Sequence, residues 1–180
     1  MAFDALEAVH GIDTWRDDAM SVLPDVLVPG LRIVFCGTAA GTISARRGAY
    51  YAGPGNKFWS TLHKVGLTPR QLAPQEYATV TQYGLGLTDL AKLVAGADST
   101  LSPHHFDSKG LHLKLEQYRP QIVAFTSKRA AKEFFGFSVP YGLRPERIGE
   151  TRLYVLTSTS GMAGRSWSVG PWQELAALSF

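Results

Sequence analysis

Residues 33–41 read Ile-Val-Phe-Cys-Gly-Thr-Ala-Ala-Gly, and residues 48–59 read Gly-Ala-Tyr-Tyr-Ala-Gly-Pro-Gly-Asn-Lys-Phe-Trp. The run over residues 31–35, apolar except for Arg32, lies between Gly30 and Gly37, a pattern typical of a strand that is buried on both faces of a parallel sheet. The glycine-rich segment after this run predicts a loop, and an aromatic pair and a helix follow it. This stretch therefore predicts a central strand whose carboxyl end opens into a loop.

Short apolar strands and helical segments alternate along the rest of the chain. Further strands are predicted at Leu85 to Leu87, Gln121 to Thr126 and Leu153 to Thr157, with a hairpin around Arg147 to Arg152, and helices at Asn56 to Val65, Pro74 to Tyr83, Leu111 to Tyr118, Lys128 to Phe135 and Pro171 to Leu178. This alternation predicts an α/β fold with a mainly parallel central sheet flanked by helices. The 180 residues fit a single domain over residues 1–180, on which residues 1–30, with a helix from Thr14 to Leu23, pack as an N-terminal arm.

The composition is that of an ordinary globular protein, with 45% apolar and 18% charged residues. No apolar stretch approaches the roughly 18 residues of a membrane span, and no basic region precedes an apolar one at the N-terminus. We therefore expect a cytoplasmic, monomeric protein without a membrane partner. The net charge of +3 permits nucleic-acid binding without requiring it. Cys36 is the only cysteine, which excludes an intrachain disulfide and a cysteine-based metal site.

Three loops are expected to meet at one edge of the predicted sheet, because the carboxyl ends of parallel strands lie at the same edge. Ligands in open parallel sheets bind at this edge. These loops are Gly37 to Tyr51, Thr88-Asp89 and Thr157 to Met162. Gly37 and Gly41 can adopt positive φ and let a flat ring approach the backbone, while Thr38 and Ala39 add little bulk. An ordinary strand-to-loop turn is the alternative for this segment.

Tyr51 follows in the same predicted loop and supplies an aromatic face. Stacking of a base on such a face contributes about 1–3 kcal/mol. A tyrosine that belongs only to the core is the alternative. The glycines and the aromatic ring together predict a pocket for a flat base whose edge contacts backbone N–H and C=O groups.

Two segments resemble the active-site motifs of the uracil-DNA glycosylase superfamily, most closely those of its mismatch-specific uracil/thymine-DNA glycosylase branch. They are Gly37 to Gly41 and Ser158 to Met162, and the segments Pro54 to Trp59 and Gly86 to Leu90 lie between them. The resemblance runs from about Leu31 to the C-terminus. It implies a uracil-DNA glycosylase-like fold, base flipping, and DNA that contains uracil or a mismatched base as the substrate, with no cofactor and no metal. It also implies that the substrate is bound by Gly37, Thr38, Ala39, Gly41, Tyr51, Ser158 and Ser160, with the two serines contacting phosphate or the turn backbone.

The most consequential departure from that branch is at Ala39, where the branch usually carries a catalytic Asn. A second departure lies at Ser158 and Thr159, where the family more often has Asn and Pro. Cleavage of an N-glycosidic bond passes through an oxocarbenium-like sugar, which a nearby carboxylate stabilises while it orients or deprotonates water. Asp89 follows a short predicted strand and borders the loops, so we predict that Asp89 is the catalytic residue. The alternative is an Asp that caps a helix beginning at Leu90.

A glycosylase that flips a nucleotide out of the duplex must fill the gap, and an exposed apolar side chain on a tight turn does so. Gly161 and Met162 fit this requirement, and an ordinary buried methionine is the alternative. Four cations near the motifs are predicted to contact phosphates, although each is equally consistent with a solvated loop charge. They are Arg46, Arg47, Lys128 and Arg165. The histidines have no spacing that indicates a metal site.

The sequence thus predicts a monofunctional DNA glycosylase that hydrolyses uracil, and other damaged or mismatched bases, from DNA. In a prokaryote, such a protein would associate with the nucleoid. One alternative is a catalytically weak DNA- or base-binding module of the same fold, and another is a small α/β enzyme that acts on nucleosides or nucleotides. Activity on a uracil-containing oligonucleotide would separate the first interpretation from both alternatives.

Overall fold

Five strands form one sheet in the order β2-β1-β3-β5-β4 in the computed structural model, which describes residues 19–180. The strands are β1 (Ile33–Ala40), β2 (Leu85–Ala95), β3 (Ile122–Phe125), β4 (Gly142–Ile148) and β5 (Thr151–Val155). Strand β1 pairs in parallel with β2 and β3, and β3 pairs in parallel with β5. Only β4 is antiparallel, in the hairpin with β5. The predicted α/β fold with a mainly parallel sheet is confirmed.

Helices lie between the strands and after the last one. They are α1 (Thr42–Arg47), α2 (Phe58–Lys64), α3 (Ser108–Tyr118), α4 (Lys128–Phe135) and α5 (Gly170–Leu178). Local caps fix two of the starts: the Asp107 carboxylate accepts from the Gly110 N–H before α3, and the Ser127 hydroxyl accepts from the Ala130 N–H before α4. The segment Pro74–Tyr83, predicted as a helix, is a 3₁₀ helix.

Both faces of the sheet are buried, as the unbroken apolar run in β1 predicts. Ile33 and Phe35 belong to one apolar cluster with α2 and α5, whereas Val34 and Cys36 belong to a second cluster with α3 and α4. In the first cluster the Phe35 ring stacks on Trp172 with centroids 5.7 Å apart. This two-sided core fixes the central strands, and thereby the position of the residues at their carboxyl ends.

Strands β1 and β2 extend further than their apolar residues indicate. The β1–β2 ladder continues through the pairs Gly37↔Asp89 and Ala39↔Ala91, so residues 37–40 are strand and not loop. The prediction of a loop beginning at Gly37 is wrong for this reason. Leu90 likewise lies within β2 and begins no helix, which removes the alternative that Asp89 is a helix cap.

The chain before β1 covers the outer edge of β2. Val26 and Leu87 exchange backbone hydrogen bonds of 2.9 and 3.0 Å in an antiparallel bridge. Of the helix predicted over Thr14 to Leu23, residues 14–18 lie outside the described part of the chain, and only residues 19–20 of the remainder are helical. No helix within residues 19–180 has the length and apolar character needed to cross a membrane.

Gly86 makes this edge contact possible, which gives a test of the fold. A Cβ at Gly86 would lie 2.6 Å from Leu31 Cδ1 and 2.7 Å from the Val26 carbonyl oxygen. We expect Gly86→Ala to lower the free energy of unfolding by about 1–3 kcal/mol, because overpacking displaces the covering segment. Urea unfolding at equilibrium measures the change, and Gly53→Ala, where a Cβ meets nothing within 4 Å, is the control. Equal stability of both variants would contradict the packing.

Candidate active site

A cleft of about 870 Å³ opens at the carboxyl ends of the parallel strands. Its volume lies within the range of small-molecule sites in proteins. The lining comes from β1, the end of β2, the residues after β3 and the loops around residues 50–56 and 158–163. Sequence-predicted residues that line the cleft are Gly37, Thr38, Ala39, Gly41, Tyr51, Asp89, Ser158, Ser160, Gly161 and Met162. The structure therefore brings the two motifs and Asp89 together in one site.

Gly37 permits the closest approach in this cleft. An added Cβ would lie 2.5 Å from Asp89 Oδ1, 3.4 Å from the Tyr51 hydroxyl and 3.6 Å from Thr126 Oγ1. No side chain larger than hydrogen fits at residue 37 without moving the Asp89 carboxylate. The predicted use of positive φ is wrong: Gly37 is not among the glycines with positive φ, and Gly41 is extended with a φ of −66°. Residue 37 must be glycine because a Cβ has no room there, and not because of its backbone conformation.

Asp89 is the buried acid of the site. Its residue is only 7% exposed, and no side-chain hydrogen bond or ion pair within residues 19–180 reaches its carboxylate. Burial raises the pKa of Asp89 from its ordinary 3.8 to about 6, with Lys92 lowering it and Asp25 raising it. The carboxylate is therefore ionised at neutral pH yet weakly stabilised. Such a group attracts a proton or positive charge that develops beside it.

Tyr51 is held in a specific position above the strand ends. It has a φ of 53°, its ring stacks on Phe58 at a centroid distance of 3.8 Å, and its hydroxyl donates to Thr126 Oγ1 at 3.3 Å. Burial and the negative charge of Asp89 raise the pKa of the Tyr51 hydroxyl, which therefore stays protonated. Tyr51 is both a core and a cleft residue, because its ring packs on Phe58 while the residue also lines the cleft.

The loop of the second motif has internal hydrogen bonds. The Ser158 hydroxyl accepts from the Ser160 N–H, and the Ser160 hydroxyl accepts from the Met162 N–H, each at 3.2 Å. Both serines thus shape the turn. A Cβ at Gly161 would lie 3.1 Å from the Pro54 carbonyl oxygen, so this turn packs closely on the loop before α2.

Met162 projects from this turn into solvent. The residue is 94% exposed, which rules out the alternative of a buried methionine. A large apolar side chain on the rim of a cleft, held by a hydrogen-bonded turn, is suited to insertion into a base stack.

The four predicted cations are exposed but do not line the cleft. They are Arg46, Arg47, Lys128 and Arg165. Arg47 donates to the Ala52 carbonyl at 2.9 Å, and the Lys128 ammonium lies 4.4 Å from the centroid of the Tyr141 ring. If these cations contact DNA, they do so outside the cleft.

Three features in or beside the cleft escape the sequence prediction. Thr126 follows β3 at the same edge of the sheet, and the strand-end rule that selects Asp89 also selects it. The Thr38 hydroxyl donates to Asp98 Oδ1 at 2.6 Å, a contact across 60 residues that no local pattern indicates. The Lys57 ammonium lies 5.7 Å from the ring centroid of Trp167, beside the second motif. Within residues 19–180, no three His, Cys, Asp or Glu side chains are grouped to hold a metal ion.

Comparisons with known proteins bear on the fold and the family of the chain. A solution NMR structure of a candidate uracil DNA glycosylase from Methanosarcina acetivorans is similar at a TM-score of 0.56 and 22% sequence identity, over 87% of this chain and 93% of that chain. At this identity the likeness shows the fold alone. The family description of the uracil DNA glycosylase superfamily matches residues 24–176, a range that includes both motifs and Asp89. The chain belongs to the uracil DNA glycosylase superfamily.

Proposed function

We propose that this protein is a monofunctional DNA glycosylase that hydrolyses the N-glycosidic bond of uracil, and of other damaged or mismatched bases, and leaves an abasic site. Membership of the superfamily supports glycosylase chemistry. The observation that carries the proposal is the Asp89 carboxylate, which is buried, has no hydrogen-bond or ion-pair partner among residues 19–180, and lines a cleft of about 870 Å³.

A flipped nucleotide enters this cleft in the proposed complex. The base stacks against Tyr51, while the backbone of residues 37–41 borders its edge. Met162 fills the space that the nucleotide leaves in the duplex. The exposure of Met162 and the small side chains of residues 37–41 support this geometry.

Asp89 then acts on the sugar. As the C1′–N1 bond of the nucleotide breaks, the electron pair leaves with the base and positive charge develops on the sugar. The ionised carboxylate stabilises this charge, orients a water molecule and takes its proton as the water oxygen bonds to C1′. The base anion gains a proton from solvent. These steps use only water and side chains of this chain.

We further propose that the protein belongs to the mismatch-specific branch, acts as a monomer on DNA in the cytoplasm, and is associated with the nucleoid in a prokaryote. The motif Ser160-Gly161-Met162 and the segment Pro54 to Trp59 support the branch assignment. Contacts of Arg46, Arg47, Lys128 and Arg165 with phosphates outside the cleft complete the proposed DNA interface.

Ala39 favours a second candidate function, a module of the same fold that binds DNA or a free base without cleaving it. Such a module would hold uracil-containing DNA without forming abasic sites. A nucleoside-processing enzyme would instead release uracil from free deoxyuridine. Labelled oligonucleotides with uracil in single strands, opposite adenine and opposite guanine, together with deoxyuridine, separate the three functions when abasic sites and free uracil are measured.

Asp89→Asn should lower the rate of uracil excision by about 10² or more, because it removes an electrostatic group beside the reacting sugar. In the wild type, the rate should fall as the pH falls through about 6, because protonation removes the active carboxylate form. Single-turnover excision from pH 5 to 8 measures both effects.

Asp98→Asn is the matched control, since it removes the same charge from the same cleft. We expect Asp98→Asn to lower the rate of uracil excision less than Asp89→Asn does. The fall in rate at acid pH should remain in Asp98→Asn. Ala39→Asn in the Asp89→Asn background should restore part of the rate, since it supplies the side chain that the branch usually carries. Wild-type rates in folded Asp89→Asn would exclude Asp89 as the catalytic group.

Asp89→Asn should also stabilise the fold at alkaline pH. Because the folded-state pKa is raised, ionisation of Asp89 costs the folded state about 3 kcal/mol, a penalty absent below pH 3.8 and complete above about pH 6. Asn carries no charge, so the variant should exceed the wild type in free energy of unfolding at pH 8 but match it near pH 4. Urea unfolding at both pH values measures this. A stability difference independent of pH would contradict the assigned burial penalty.

Met162→Ala should reduce excision from duplex DNA more than from single strands, since only a duplex leaves a stacked gap. Single-turnover rates on the same uracil-containing sequence in both forms give the comparison. Met20→Ala serves as the control, because Met20 is also exposed, at 75%, and lies outside the cleft. Equal losses on both substrates would show that Met162 supports the turn and not the flipped state.

A further inference from the structure

A buried charge cluster lies behind the wall of the cleft. The Asp25 carboxylate contacts the Lys92 ammonium at 2.7 Å and the Lys114 ammonium at 2.5 Å, and it accepts from the Thr88 hydroxyl at 2.7 Å. The side chains of Asp25 and Lys92 are only 9% and 12% exposed. Burial opposes ionisation of Asp25, but the two lysines outweigh it and lower the Asp25 pKa. Asp25 is therefore a permanent anion in the fold.

Lys92 has no N–H left for any other acceptor. Besides its contact with Asp25, its ammonium donates to the Leu23 carbonyl at 2.7 Å and to the Tyr50 hydroxyl at 3.2 Å. An ammonium group has three donors, and these three acceptors use them all. Leu23 and Tyr50 themselves line the cleft. The cluster thus lies directly behind the site, and its Lys92 is on the same strand as Asp89.

We propose that Asp25 is a positioning residue for Asp89: it holds Lys92 within the buried cluster and so keeps the carboxylate of the cleft without a cationic partner. This inference rests on the catalytic role proposed for Asp89. A carboxylate that is paired with an ammonium group holds its charge tightly and is a weak proton acceptor. Asp25 therefore preserves the basicity that the water-activating step requires.

The charged and titratable groups around Asp89 determine whether its pKa rises or falls in each variant. Tyr50, Tyr51 and Cys36 are neutral, because burial raises the pKa of each. The remaining groups are charged: Lys92 and Lys114 lower the Asp89 pKa, and Asp25 raises it. Removal of Asp25 deletes a repulsive charge and releases two cations, so both consequences lower the Asp89 pKa. Removal of Lys92 must raise it.

The test is the pKa of Asp89 in three proteins. Carboxyl-carbon NMR titration of the wild type, with the Asp89 signal assigned by its loss in Asp89→Asn, gives the reference. We expect Asp25→Asn to move the Asp89 midpoint down by about one pH unit and Lys92→Met to move it up by a similar amount. Lys92→Arg, which keeps the cation, should move the midpoint less than Lys92→Met. Glu150→Gln, an exposed charge change in the β4–β5 turn, should leave it in place.

Opposite shifts in Asp25→Asn and Lys92→Met show that the two charges, and not packing alone, set the Asp89 pKa. A smaller downward shift from Asp25→Asn in the Lys92→Met background than in the wild type supports the inference that Asp25 acts through Lys92, and an equal shift in both backgrounds overturns it. An Asp89 midpoint that is unchanged in folded Lys92→Met overturns it, as do shifts of the same sign in both variants. If Asp25→Asn does not fold, the Asp89 midpoints of Lys92→Met and Lys92→Arg are compared instead. Both variants leave Asp25 with Lys114 and Thr88 as partners. The pH at which the excision rate falls on the acid side should shift in the same direction as the Asp89 midpoint measured by NMR. NMR shifts as expected in a protein that excises no base would refute the proposed function and leave the electrostatic coupling standing.

Discussion

The close approach of Asp89 to the backbone of Gly37 is the contact on which the site depends. Strands β1 and β2 pair these two residues in parallel register, and the missing Cβ at Gly37 leaves the space that Asp89 Oδ1 occupies. The same space borders the hydroxyls of Tyr51 and Thr126, which come from the loop after α1 and from the end of β3. The absent Cβ therefore lets β2, the end of β3 and the loop after α1 contribute polar atoms to a single point. Any bulk there would separate these groups before it affected the core.

The burial of ionised Asp89 destabilises the fold, and the packing of the surrounding core compensates for this loss. Ionised Asp89 is desolvated without a direct partner, whereas Asp25 has two lysines and a hydroxyl. Rings below the cleft stack in a continuous series, Tyr51 on Phe58 and Phe35 on Trp172, which leaves little freedom for relaxation. A rigid support of this kind keeps an unfavourable charge in place where a looser fold would let it turn towards solvent.

The sequence predicts the central elements well, because apolar runs and helix caps are local signals. The apolar part of β1 and the cap at Ser127 follow directly from these signals. The strand ends do not, since Thr88 and Asp89 are polar and residues 37–40 are small, although the backbone ladder continues through them. Hydrogen bonding across the sheet decides those boundaries, and a single chain segment does not reveal its partner.

The candidate site likewise has features that the sequence predicts and features that it does not. Strand-end placement and chemistry predict the convergence of Tyr51, Asp89 and Met162 in one cleft. Neither signal predicts the Asp25–Lys92 ion pair, which joins residues 67 positions apart through a segment that covers the sheet edge. The cations Arg46 and Lys128 lie outside the cleft, because proximity in sequence to a motif does not fix the direction of a long exposed side chain.

The register of β1 and β2 also explains why an acid in place of an amide has physical consequences. Ala39 pairs with Ala91, so Asp89 lies two residues deeper in the ladder than the position at which the branch usually carries Asn. Two strand residues span about 7 Å, enough to move the functional group from the rim of the sheet into its buried part. An amide at the rim stays neutral and keeps water within reach. A carboxylate at the deeper position is shielded from bulk solvent, and its raised pKa follows from that burial. Depth in the sheet thus raises the pKa of Asp89 towards neutrality, as its proposed role requires, provided that no cation approaches it from behind.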